Sequence, residues 1–345
     1  RLEIGGAAPD GWKELQECAA LSKTVCCRRF AQWKKMWILF DRLCTTDCTT
    51  EGGLIFMSSE LSPRDCASGL PESLAPPDPI DPAALLAASG LATFEHSSEI
   101  VSTMERAREM AITVGLPLPA AIVADRQTFG RGQQGARWWQ APGSLAVSVV
   151  LGAVDAGTPV VPLAPQPIWS LACGVALAET LALLLPTVRP RVRWPNDIEV
   201  QGKKLAGILV ETAPGDRVIF GIGVNTTGSA ATAPIPLRTK LTTLPDLTGQ
   251  PLPRQRVLAE FLPRFFQLLR AIAADPGVLQ LRYRPLCALT GQVVTIHRGG
   301  TLLRGLCRGI AADGALLLDA ETGPLRVHSG SLTDPADVWR GCEPA

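Results

Sequence analysis

The chain has 345 residues, 46% of them apolar, enough for two or three domains with full cores. Its 33 Lys and Arg against 32 Asp and Glu leave a formal charge of +1, which gives no electrostatic reason to expect nucleic acid or an anionic membrane as the main partner. No run approaches the roughly 18 uninterrupted apolar residues of a spanning helix. The start, Arg1-Leu2-Glu3-Ile4-Gly5-Gly6, has neither an initiator Met nor the apolar core of a signal peptide, so it reads as a fragment or an unusual frame of a cytoplasmic protein.

Residues 1–85 read as a leader and linker, expected to be poorly ordered. Phe30, Trp33, Trp37 and Phe40 fall at helical spacing, which predicts one helix over 30–43. Six of the ten cysteines (Cys18, Cys26, Cys27, Cys44, Cys48 and Cys66) crowd this segment. No paired CxxC pattern or nearby histidine supports zinc, so free thiols are expected. Pro71, Pro76, Pro77, Pro79 and Pro82 then punctuate the linker.

A mixed α and β domain follows over 86–280, its patterning clear from Leu91. A helix is predicted from Ser102 to Gly115, capped by Ser102 or Thr103 and stopped at Gly115-Leu116-Pro117. Short strands are expected at Ala120–Ala124 and Ser144–Leu151. The almost wholly apolar 168–185 reads as a core helix ending before Pro186. Strands at 192–193, 198–200, 207–211 and 218–224 come next, with a tight turn at Gln201-Gly202. An amphipathic helix covers 254–275. From 281 to 335, short strands joined at Arg298-Gly299-Gly300 and Ala312-Asp313-Gly314 indicate a small separate β barrel.

Two segments carry the chemistry. The first is Gln127-Thr128-Phe129-Gly130-Arg131-Gly132-Gln133-Gln134-Gly135-Ala136-Arg137-Trp138. Its GxGxxG spelling raises a dinucleotide site, but that fingerprint needs a helix immediately after it, and Trp138-Trp139-Gln140-Ala141-Pro142-Gly143 breaks one. A glycine loop carrying arginines can instead close over an anionic ligand, its glycines letting the backbone approach phosphates. The second is Arg193-Trp194-Pro195-Asn196-Asp197, followed by Lys204-Leu205-Ala206-Gly207-Ile208-Leu209. An exposed lysine after a turn is the ordinary reading of Lys204. The partner strand, however, brings Asn196 and Asp197 to the same rim, and alternation turns Lys203 the other way. Joining a carboxylate to the α-phosphate of ATP needs cations that cancel the repulsion and a loop that excludes water.

In order along residues 100–335, these segments, Ser102-Thr103, Gly221-Ile222-Gly223-Val224-Asn225 and the terminal strands resemble the biotin–protein ligases. The resemblance implies an α+β fold: a class II synthetase-like mixed β-sheet with flanking helices and a C-terminal SH3-like barrel. It implies ATP-dependent formation of biotinyl-5′-AMP and transfer of biotin to a lysine of a biotin carboxyl carrier protein, with Mg²⁺ as cofactor. Ser102, Thr103, Met104, Gln127, Arg131, Gly132, Gln133, Lys204 and Gly207 would bind biotin. Gly130, Gly132, Gly135, Arg137, Trp138, Asn196 and Asn225 would bind ATP. Lys204, Arg131 and Asp197 would be catalytic, with Asp197 reaching Mg²⁺ through water. The chain departs from the family's pattern at Met104, Gln133 and Ala136, two of which lower the loop's positive charge. A homodimer is among the implied assemblies; a membrane is not, and DNA is disfavoured. The alternatives are a lipoate-type protein ligase, a biotin-responsive DNA-binding repressor with ligase activity, and a carrier-binding module without catalysis.

Overall fold

The computed structural model describes residues 78–152 and 167–332. The expected helix over 30–43 and the six leader cysteines lie outside them. The elements in order are α1 (Pro82–Ser89), β1 (Thr93–Ile100), α2 (Thr103–Ile112), β2 (Ala120–Gln127), β3 (Leu145–Gly152), α3 (Pro167–Leu184), β4 (Arg191–Arg193), β5 (Asp197–Val200), β6 (Lys203–Ala213) and β7 (Arg217–Val224). After them come α4 (Ile235–Arg238), α5 (Leu244–Thr248), α6 (Arg254–Ala274), α7 (Gly277–Tyr283), β8 (Val293–Arg298), β9 (Thr301–Ile310), β10 (Leu316–Ala320), β11 (Gly323–Val327) and β12 (Ser331–Leu332).

A seven-stranded mixed sheet runs β1-β2-β3-β7-β6-β5-β4, parallel only between β1 and β2. Alternation along its strands feeds two cores. Ala121 and Val123 of β2, Leu145, Val147 and Val149 of β3, and Phe220 and Ile222 of β7 join the larger core with α3 and α6. Ala120, Ile122, Val150 and Ile219 turn to the opposite face, where Met104, Ala107 and Met110 of α2 cover them. Helix α3 is long and apolar enough to cross a membrane by length and composition alone. It is instead the buried centre of the larger core, packed against α6, and Ser170, Glu179 and Thr180 within it broke the run at the level of sequence.

The described body begins earlier than the linker reading placed it. Asp81 caps α1 through the N–H groups of Ala83 and Ala84, and Leu85 is buried. Asp78 holds the fully buried Arg254, accepting from its Nε at 2.8 Å and from its backbone N at 2.8 Å. Arg254 also donates to Asp125 at 2.7 Å, and His96 meets the same oxygen at 2.8 Å. Asp78 and Asp81 sit where a proline-rich spelling suggested only spacing.

The last strands form a five-stranded antiparallel sheet, β11-β10-β9-β8-β12. The β9–β10 turn presses on the start of α3. A Cβ at Gly314, whose φ is +83°, would stand 2.6 Å from the backbone N of Ile168. Its carbonyl accepts from Nε1 of the buried Trp194 at 3.1 Å. Ser170 Oγ donates to the Pro195 carbonyl at 2.7 Å. The small sheet therefore grips the segment leading into β5.

Burial alone would raise the carboxyl pKa of Asp125, but the hydrogen bonds from His96 and Arg254 outweigh it and hold the group below its ordinary value. With the folded pKa depressed, this contribution to stability is complete above the unfolded value of about 4 and is lost as pH falls through the folded one. Asp125→Asn should cost roughly 3 kcal/mol at neutral pH by urea denaturation, because Arg254 loses a charged partner, and the deficit should shrink in acid.

Candidate functional site

On the face of the sheet that α2 covers only in part, three glycines form the centre of the floor. Register places Ala146, Gly223 and Gly207 side by side across β3, β7 and β6, and Ser148, Gly221 and Leu209 in the next row. A Cβ at Gly223 would lie 2.4 Å from Cε2 of Trp138, and one at Gly221 would lie 2.5 Å from Sδ of Met104. The result is a cleft of about 440 Å³, counting its open side. Thr103, Met104, Gln127, Gly132, Lys204 and Asn196 are among its walls.

Lys204 reaches this floor because of one extra residue. The β5–β6 pairing runs Asp197 to Gly207 and Ile198 to Ala206, then jumps to Glu199 opposite Lys204, leaving Leu205 as a bulge. Residues three apart on a regular strand face opposite ways. With the bulge, Lys204 lies over Gly207, its Cε 3.0 Å from where a Cβ would be. Its Nζ stands 2.6 Å from Oδ1 of Asp197 and 5.6 Å from the centre of the Trp138 ring. The backbone of Lys204 is held from the other side, donating to Lys240 O and accepting from Thr242 N, each at 2.9 Å. Lys203 is exposed, as alternation predicts.

The glycine loop folds back on itself. Gly132 N donates to Ala136 O at 2.7 Å and Trp138 N to Gly130 O at 3.0 Å. At Gly130 a Cβ would be tight, 3.1 Å from Trp138 O and 3.2 Å from Gln127 Nε2. Arg131 pairs with Glu105 in the first turn of α2, so the cation expected to meet a ligand is anchored at the cleft's rim. Gln133 also lines the cleft.

Several expected positions fall elsewhere. Ser102 is buried as the N-cap of α2, its Oγ accepting from Met104 N, and does not line the cleft. Arg137, displaced by one place from the family's position, stacks on Phe129 at 4.7 Å and donates to Thr128 O at 3.0 Å, away from the cleft. Gly130 and Gly135 shape the loop without lining the cavity. Asn225 is buried, giving its Nδ2 to Thr242 O at 2.9 Å, and also stands outside the lining. Asn196 does line it while donating to Ile208 O at 2.8 Å. Asp197 does not line the cleft; its Oδ1 faces the ammonium of Lys204. Among the described residues no group of three or more His, Cys, Asp or Glu could hold a metal ion. A Mg²⁺ that met Asp197 through water would draw the rest of its shell from substrate phosphates and solvent, as that ion commonly does.

Sequence reasoning missed Gly221 and Gly223 as site residues, although two glycines at i and i+2 on a strand must share a face. It also missed Gln140 and Ser148, which carry no motif signal.

The mixed sheet, the half-covered glycine floor and the lysine–aspartate rim define a ligase-type site for a small carboxylic acid. The model of the Biotin/lipoate A/B protein ligase family matches residues 100–225, and that of the Biotin protein ligase C terminal domain matches 290–331. The Biotin–[acetyl-CoA-carboxylase] ligase of Mycobacterium tuberculosis is 32% identical over 216 residues, 61% of this chain and 77% of that one. The enzyme of the same name from Paracoccus denitrificans is 31% identical over 63% of this chain and 91% of that one. The biotin protein ligase from Aquifex aeolicus in complex with biotin and ATP superposes with a TM-score of 0.59 at 26% identity, covering 70% of this chain and 98% of that one. The chain belongs to the biotin protein ligases of this family.

Gly223→Ala should force Trp138 off the floor. Overpacking of this kind costs about 1–3 kcal/mol, so ATP–pyrophosphate exchange driven by the acid substrate should fall roughly ten-fold or more with the fold intact by circular dichroism.

Proposed function

We propose that this chain is an ATP-dependent biotin–protein ligase that makes biotinyl-5′-AMP and passes the biotin to a lysine of a carboxylase carrier domain. The observation that carries the reading is Lys204 set by its bulge over a glycine floor, where a carboxylate and a phosphate can both approach the sheet. Biotin's valerate lies along Gly221, Gly223 and Gly207 with its ring end toward Thr103 and Gln127. Mg-ATP enters as a substrate carrying its own metal ion. The biotin carboxylate oxygen attacks the α-phosphorus, the bond to pyrophosphate breaks, and a mixed anhydride remains. Lys204 Nζ offsets the charge shared by the two oxyanions, while Asp197 holds that ammonium in place. Arg131, released from Glu105, supplies a second cation at the rim. In the transfer step the carrier's lysine amine attacks the anhydride carbonyl, forming the amide and releasing AMP.

Mass spectrometry tests this directly. A carboxylase carrier domain incubated with the protein, biotin and Mg-ATP should gain one biotinyl group, and lipoate in place of biotin should leave it unmodified. Lys204→Ala should slow adenylate formation by a factor of about 100 or more, the usual scale for losing one preorganised charge contact. An acceptor of unchanged mass, or a Lys204→Ala variant at near-normal rate, would refute the assignment.

A further inference from the structure

At the ring end of the cleft the direction of each hydrogen bond can be worked out from two backbone carbonyls. Gln140 follows the glycine loop. Its Nε2 stands 3.2 Å from Asp125 O and 2.9 Å from Ser144 O. Carbonyl oxygens only accept, so both amide hydrogens of Gln140 are committed there, and its Oε1 must face the other way. That oxygen accepts from Gln127 N at 3.3 Å and from Gln127 Nε2 at 3.4 Å. All four valences of the Gln140 amide are used, and a flip would set donor against donor and acceptor against acceptor.

The consequence passes to Gln127. With Nε2 drawn to Gln140, its Oε1 accepts from Thr103 N at 2.9 Å and from Thr103 Oγ1 at 3.2 Å. The single proton of the Thr103 hydroxyl is thereby spent, so this oxygen can only accept from the buried Ser148, 2.9 Å away. Two valences remain at the cleft: one N–H of Gln127 and one lone pair of Thr103 Oγ1. A donor beside an acceptor complements an edge that carries C=O beside N–H, as a cyclic urea does.

We propose that Gln140 is the positioning residue that sets this donor–acceptor polarity, with Ser148 closing the far end of the relay. This inference rests on the biotin reading above and deepens it. Gln140 touches no substrate; it acts by choosing which end of the Gln127 amide meets Thr103. The relay also ties the exit of the glycine loop to recognition of the ring.

The test is calorimetric titration of the full chain with biotin and, separately, with ATP. Gln140→Met keeps the length of the side chain and removes the amide. It should weaken biotin about ten-fold, the scale of one misdirected hydrogen bond in a buried site, and leave the Kd for ATP within two-fold of wild type. Ser148→Ala, a smaller change should the first variant fold poorly, should weaken biotin about three-fold with the same indifference to ATP. The two changes together should weaken biotin by less than the product of the separate factors, because they interrupt one relay. A purely structural role would move both ligands together and lower the melting temperature in step; that result, or biotin affinity within two-fold of wild type in both variants, would overturn the proposal. Wild-type protein that binds no biotin would sink the proposed function itself, which separates the two failures.

Discussion

Positions 207, 221 and 223 carry no side chain, and that absence is what the rest of the site depends on. The sheet is covered on one face by α3 and α6 and on the other by α2, an arrangement that would normally fill both faces with side chains. Beside the first turn of α2, glycines on β6 and β7 leave a trough with backbone for its floor. Met104 and Trp138 then lie directly on that floor, at distances no Cβ would tolerate. Any acid entering must share the trough with them, so its width is set by the main chain and its height by two side chains.

The rim is governed by a different device. A strand presents alternate residues to alternate faces, and a lysine three places from Gly207 would belong to the wrong one. Leu205 absorbs the mismatch as an unpaired residue whose own side chain is buried in the larger core. Asp197, opposite Gly207 in the register, is thereby brought beside the ammonium of Lys204. Ammonium, carboxylate and glycine floor are thus products of one irregularity in the pairing.

Most of the architecture was legible in the sequence. The periodicity of 254–275, the apolar run at 168–185 and the glycine-bounded strands after 290 all became elements within a residue or two of their expected ends. Gln127, Thr103 and Lys204 were found from motif order, and they do converge. Helix α2 stops at Ile112 rather than Gly115, because Thr113 is already extended and closes the last turn through Met110 O. What sequence could not supply were features fixed by distant partners. Asp78 looked like part of a linker until Arg254 was seen to need it. Arg137 looked like a phosphate ligand until Phe129 was found beneath it. Gln140 has no local signature at all; its importance comes from two carbonyls and an amide contributed by other segments.

The indole of Trp194 and the carbonyl of Gly314 meet across what reads, in the sequence, as a border between two domains. That contact couples the two parts mechanically across the border. The terminal strands behave as a clasp on the segment that delivers Asn196 to the cleft, so a chain shortened at 280 would lose a support for one wall along with an appendage.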